Sequence, residues 1–237
     1  MSIEHAAQRR IIIKLIHNPS LGFNELWGRE GESNSFAYHV NKLEEQGLIE
    51  RVDGRYRLSK EGRKLSAFLE GEDGAPADFP TMAVLLVVQR GDLFLCQRRL
   101  KEPFYGYWSF VSGKINFGQN LFACATRDLR EETGLIADDW TFKGIEMVKT
   151  FEGDDLLFHH YLFVVKTSSA SGELVRSTQK AEHEWLTLDE FHAREGFPGH
   201  WCSQHIAQSD HPVIVEGERY MKDGKFIGAK TISVRKY

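Results

Sequence analysis

Residues 113–135 read GKINFGQNLFACATRDLREETGL, and few folds accommodate such a stretch. A glycine turn leads into a helical pattern that carries three carboxylates. Asp128, Glu131 and Glu132 stand at i, i+3 and i+4, so at about 100° per residue they share one helical face. Like charges that close repel one another, and the face asks for a counterion. Arg127 can neutralise one charge, and a divalent cation the rest. Hard cations such as Mg2+ take oxygen ligands and keep waters for substrate phosphates. The helix is punctuated at both ends: Gly118 and Asn120 mark its start, and Gly134 stands where a left-handed C-terminal cap is wanted. Phe122, Ala125 and Leu129 give an apolar stripe beside the acidic one. The competing reading is a solvated acidic helix. It does not account for the flanking glycines or for the arginine beside the carboxylates.

These residues resemble the Nudix box, Gly-x5-Glu-x7-Arg-Glu-U-x-Glu-Glu-x-Gly-U, with U bulky and aliphatic. Here the pattern is Gly113, Gln119, Arg127, Asp128, Leu129, Glu131, Glu132, Gly134 and Leu135; seven of nine positions fit and the spacing is intact. The departures are Gln119 and Asp128, each for Glu, and Val111-Ser112 stands where Pro-Gly is usual. The resemblance implies hydrolysis of a nucleoside diphosphate linked to another group X, with Mg2+ or Mn2+. By position, Asp128, Glu131 and Glu132 would ligate metal, helped by the Gly113 carbonyl. Arg127 would orient the carboxylates, and Asp128 holds the box position most often associated with the general base. Asp for Glu shortens the reach by about 1.5 Å, and a 1 Å misplacement can cost on the order of 100-fold in rate. Metal binding could survive both departures while turnover falls.

The 41% hydrophobic content supplies a core, and a net charge of −4 gives no global basic field. Cys96, Cys124 and Cys202 are odd in number and lack zinc spacing, which suggests reduced thiols and a cytoplasmic location. No apolar run reaches the roughly 18–20 residues of a membrane span, and the N-terminus lacks a signal-peptide layout. No membrane partner is expected.

The N-terminal part reads as helices over 3–17, 22–28 and 33–46, with Ser33 or Asn34 capping the third. Strands over 48–52 and 56–58 flank an Asp53-Gly54 turn, and a last helix runs from Ser59 to about Leu69. Three helices and a hairpin are similar to a winged helix-turn-helix over residues 1–70. That resemblance puts the third helix in the major groove and the wing on phosphate. Ser35, Tyr38, His39, Lys42 and Arg55 would then face double-stranded DNA. The alternative is a module for packing or dimerisation. Residues 1–71 hold eleven Lys and Arg against ten Asp and Glu, so a DNA role needs local clustering of charge. Winged helices often pair across two half-sites, which puts a homodimer among the expected partners.

Residues 71–80, GEDGAPADFP, read as a linker. Residues 81–237 form the second expected domain, with strands over 82–89, 93–98, 144–151, 156–166, 184–186, 213–220 and 225–234, and helices in the box and over 188–195. The fold class is α/β: an N-terminal winged helix-turn-helix and a Nudix-type α/β/α sandwich with a mixed sheet. Phe104, Tyr107 and Trp108 belong to an aromatic run that either stacks a base, worth roughly 1–3 kcal/mol, or packs a core. Glu182 is a weak candidate for a further ligand. His159, His160 and His183 read as structural or exposed, and His200, Cys202 and His205 lack a fourth ligand. The leading expectation is a divalent-metal-dependent hydrolase of a nucleoside diphosphate derivative. The alternative is a nucleotide-sensing transcription regulator whose degenerate Nudix domain binds ligand with little turnover.

Overall fold

The computed structural model describes Ile3 and residues 5–70, 75–76 and 78–237. The chain divides into two compact units, Met1–Asp78 and Phe79–Tyr237.

The first unit contains α1 (Ala6–His17), α2 (Phe23–Trp27), α3 (Ser33–Glu45), a hairpin of β1 (Ile49–Val52) and β2 (Arg55–Leu58), and α4 (Lys60–Ser66). Ile11, Ile12, Leu15, Leu26, Val40, Leu43 and Leu48 are among its buried core. The cap of α3 is Glu32, which makes no side-chain cap hydrogen bond, rather than Ser33 or Asn34. Helix α4 stops at Ser66; Leu69–Glu70 (β3) then pairs with Ala75–Pro76 (β4). The linker expected over 71–80 therefore includes a strand, while residues 71–74 and 77 lie outside the described residues.

The second unit is built on one eight-stranded mixed sheet. Its strands are β5 (Thr81–Arg90), β6 (Leu93–Arg99), β7 (Trp108–Lys114), β8 (Thr141–Glu152), β9 (Asp155–Thr167), β10 (Ala181–Leu186), β11 (Val213–Lys222) and β12 (Lys225–Lys236), in spatial order 10-6-7-5-9-8-11-12. β5 runs parallel to β9 and β11 parallel to β8; the other pairings are antiparallel. A central strand buried on both faces needs a continuous apolar run, and β5 has one from Ala83 to Val88. The two faces carry separate cores. One sets α5 (Leu121–Thr133) against Val84, Leu86 and Val111 through Cys124, Ala125 and Leu129. The other gathers Phe94, Phe110, Val148, Phe191 and Trp201 beneath α6 (Leu188–His192) and a π-helical turn at Cys202–Ile206. The end of the aromatic run, for which the residue pattern gave no strand, opens β7; nothing in the sequence around Cys202 marks the π-helical turn.

Helix α5 is closed as its sequence requires. Asn120 Oδ1 accepts from Ala123 N at 2.8 Å, and Gly134 takes φ +76° while its N–H donates to Arg130 O at 2.9 Å. Among the described residues no helix is long and apolar enough to cross a membrane.

Candidate active site

The three box carboxylates lie on α5 but meet different neighbours. Asp128 is buried, at 6% exposure. Arg127 Nε donates to its Oδ1 at 2.8 Å, and Cys124 Sγ donates to its Oδ2 at 3.2 Å. Burial, and then the adjacent carboxylate, push the Cys124 thiol up to about 12, so it remains a protonated donor. Glu131 is exposed and Glu132 half-buried. Glu132 Oε1 accepts from Lys180 Nζ at 2.9 Å, a pair that holds Lys180 in its charged form.

Arg127 binds the site together. Beyond Asp128 it donates through Nη1 to Gln119 Oε1 and through Nη2 to Lys114 O at 3.0 Å. Gln119 thus supplies an acceptor where the box pattern has a carboxylate, and the contact survives without the charge. Gly113 explains why β7 can lie against α5 here: a Cβ at this position would stand 1.7 Å from Asp128 Oδ2.

An all-oxygen carboxylate set suits a hard divalent ion. The bare Gly113 backbone beside Asp128 brings a carbonyl-bearing strand against the helix, as such a site needs. The residues present therefore fit such an ion in kind. Among the described residues no group of three His, Cys, Asp or Glu side chains is gathered tightly enough to hold a metal. Glu132 is turned to Lys180 in this structure.

On its other side Gly113 lines a cavity of about 640 Å³. Ligand cavities span roughly 300–1,000 Å³. Its walls include Phe104, Trp108, Phe158, Phe197, Trp201 and Phe226. Phe104 stacks on Phe226 at 5.4 Å and 22°, with Phe158 and Phe197 edge-on at 5.1 Å. Its backbone takes φ +70°, a conformation disfavoured for any bulky side chain. Trp201 is seated because Gly217 has no Cβ, which would lie 2.2 Å from the indole, and its Nε1 donates to Thr231 Oγ1 at 2.8 Å.

Charge collects in the same cavity. Arg219 Nη2 donates to Glu146 Oε1 at 2.8 Å. Burial pushes the Glu146 carboxyl up and the Arg219 guanidinium down, each opposed by the charge of the other. His160 is driven down to about 4, first by burial and then by Arg219, His159, Lys114 and Arg99. It is therefore neutral near pH 7.

Several sequence expectations change here. Phe104 and Trp108 line the cavity, whereas Tyr107 does not; it is buried behind them, its hydroxyl accepting from Phe226 N at 3.3 Å. His160, His200 and Cys202 line the cavity as well, Cys202 as a largely buried wall residue. Glu182 pairs with Arg98 at 3.5 Å. In the first unit Ser35, Tyr38 and Lys42 are exposed, Lys42 beside Glu45 at 3.5 Å. His39 is not free to face DNA: it is 8% exposed and stacks on His5 at 4.1 Å. With Phe36, Val40 and Leu43 it makes an i, i+3, i+4, i+7 inner face, which is why it turns inward. Arg55 does not ride freely on the hairpin, because it donates to Ser20 O at 3.1 Å and pairs with Glu25 at 2.8 Å.

Glu146, Phe158, Phe197, Arg219 and Phe226 had no local signal. Each is one residue of an ordinary strand or loop pattern, and only the packing of the sheet brings them to one cavity.

The NUDIX domain family model matches residues 79–203. A curated relative, the uncharacterized Nudix hydrolase YvcI of Bacillus subtilis (strain 168), is 24% identical over 100 residues, covering 42% of this chain and 63% of its own. The chain thus spans less than two thirds of that relative. A mutator MutT protein from Bacillus halodurans has a similar fold, with a TM-score of 0.54 and 22% identity over 64% of this chain and 97% of its own. Nudix hydrolases generally use divalent metal ions. A family match across more than half of the residues, which includes the glycine–helix–glycine stretch just described, makes this chain a member of the Nudix family.

Proposed function

We propose that the second unit is a divalent-metal-dependent hydrolase that cleaves a nucleoside diphosphate linked to X. The observation that carries the reading is the double role of Gly113: it touches Asp128 on one side and lines the aromatic cavity on the other. A ligand whose flat ring enters the cavity places its diphosphate toward the box. Asp128, Glu131, Glu132 and the Gly113 carbonyl would hold Mg2+ or Mn2+. Such ions neutralise phosphate charge, polarise phosphorus and lower the pKa of a bound water.

The chain's own groups supply the rest. Arg127 fixes the Asp128 carboxylate by charge-assisted hydrogen bonds and ties it to Gln119 and the end of β7. Lys180 must yield Glu132 for that carboxylate to serve a metal. The aromatic walls exclude water from one end of the ligand. Screening nucleoside diphosphate sugars, dinucleotides and nucleoside triphosphates with Mg2+ and Mn2+ tests the reading. Turnover that collapses in Glu132→Gln supports it; no turnover with any metal, or none lost in that variant, removes it.

A second reading rests on the first unit. Its order of three helices, hairpin and helix supports a winged helix-turn-helix, and Ser35, Tyr38 and Lys42 of α3 are exposed. A winged helix joined to a box with Gln119 and Asp128 would make a nucleotide-sensing regulator of transcription, working as a homodimer on DNA. A gel shift on DNA upstream of the protein's own gene, with and without nucleotide, decides. DNA binding that ignores nucleotide counts against sensing.

A further inference from the structure

Glu146 and Arg219 are the most deeply buried ion pair among those described, with side-chain exposures of 3% and 11%. Exchanging such a pair for apolar side chains is often neutral or stabilising, so fold stability gives no reason for it. Its placement does. Glu146 on β8 and Arg219 on β11 come from adjacent parallel strands, and both line the aromatic cavity. The guanidinium is held in a set orientation: Nε donates to Pro198 O at 3.0 Å, and the group lies 5.2 Å from the Phe197 ring and 5.0 Å from Trp201. The backbone N–H of Cys202 supports the Glu146 carboxylate.

Building on the hydrolase reading, we infer that Glu146 and Arg219 read the edge of the substrate's nucleobase and select guanine. An ionised carboxylate only accepts hydrogen bonds, with about four lone-pair sites, and a guanidinium only donates, with five N–H groups. The contacts above use some of each and leave an acceptor beside a donor. All the common bases carry an acceptor next to a donor. Guanine alone sets two neighbouring donors, N1–H and the N2 amino group, beside the O6 acceptor. The carboxylate then takes two hydrogen bonds while the guanidinium takes O6. Adenine sets its single amino group between two lone pairs, which would face the carboxylate. A buried polar group left unmatched is penalised, so the wrong base loses on the order of tenfold or more in affinity. The aromatic walls accept any flat ring and do not discriminate; the exposed Lys101 and Lys114 at the cavity suit the phosphates.

The test needs no turnover and no metal. Trp108 and Trp201 both line the cavity, so their fluorescence reports occupancy. The whole protein is titrated with GMP, IMP, AMP, CMP and UMP. GMP is expected to bind on the order of tenfold tighter than the others, IMP included because it lacks the N2 amino group. In Glu146→Gln, with a melting temperature close to the parent's, GMP loses its advantage while AMP changes little. Equal affinities for the five nucleotides, no binding of any at millimolar concentration, or an undiminished preference in folded Glu146→Gln overturns the assignment. Should that variant not fold, the GMP-to-IMP ratio of the parent decides alone: a ratio near one overturns it. A protein that prefers GMP yet hydrolyses nothing loses the hydrolase reading and keeps this one.

Discussion

Two carboxylate–arginine pairs, one on the box helix and one in the wall of the aromatic cavity, are built in opposite ways. Arg127 and Asp128 are neighbours in sequence on one helix, at a spacing that a reader of the sequence can see. Glu146 and Arg219 lie 73 residues apart and meet only because β8 and β11 are adjacent. The first pair has its remaining partners close by in the chain, Gln119, Lys114 and Cys124. The second draws on a backbone carbonyl at Pro198 and rings at Phe197 and Trp201. On the proposed reading, the difference separates chemistry from recognition. A metal site needs several carboxylates at fixed spacing, and a single helix provides that. A ring-shaped slot needs walls on several sides, and one segment cannot supply them.

Substitutions can break the two pairs independently. Asp128→Asn should do most to turnover, lowering kcat on the order of 1,000-fold, or about 4 kcal/mol, while the melting temperature moves by only a few degrees. Steady-state kinetics beside a thermal melt would show the split; comparable losses in both would mean that Asp128 is structural. Glu146→Ala should do most to stability. Removing one partner of a buried pair costs about 3–5 kcal/mol, and the combined Glu146→Met, Arg219→Leu protein should regain most of that in urea titration. A double variant as unstable as the single one would show that the pair does hold the fold.

Gly113→Ala probes the strand that lies against Asp128 and also lines the cavity. Its Cβ would require Asp128 to move, since 1.7 Å is far inside contact distance. A loss of about 2–3 kcal/mol with a larger fall in kcat than in nucleotide affinity is expected. Equal falls would place both pairs in one site rather than two. The smallest effect concerns acid. His160 has its folded value near 4 against 6.5 unfolded. The unfolded chain therefore binds the proton first, and stability drops as pH falls from about 6.5 toward 4, with no contribution above that window. In His160→Gln the pH slope of stability in that window should shrink by about 1–2 kcal/mol in all. An unchanged slope in denaturant titrations at pH 7, 6 and 5 would show that neither burial nor the surrounding cations hold His160 down.

The box helix was legible because its information is local. Capping residues, the acidic spacing and the apolar stripe all lie within one stretch, and α5 runs from Leu121 to Thr133 between Asn120 and Gly134. Most strand positions were legible for the same reason, from apolar runs and the turns between them, but β7 was not. His39 was legible in principle: it falls at i+3 from Phe36 and i−4 from Leu43, the inner face of α3, and its polar character hid that. Phe104 and Trp108 stood out as aromatics, but nothing in the run separated them from Tyr107, which the sheet turns behind the cavity. Helix α4 was read too long because Leu69 suits a helix as well as a strand, and the partner at Pro76 lies beyond any helical period.

By itself the sequence determined the family-defining helix, its caps and the acidic face that would hold metal, because each depends on spacing along a single segment. Tertiary structure decided that Gln119 still meets Arg127, that Lys180 occupies Glu132 and that Glu146 meets Arg219 within a wall of rings. Those contacts depend on which strands become neighbours. That is set by the summed packing of two cores on one twisted sheet, and no residue in the chain records it alone.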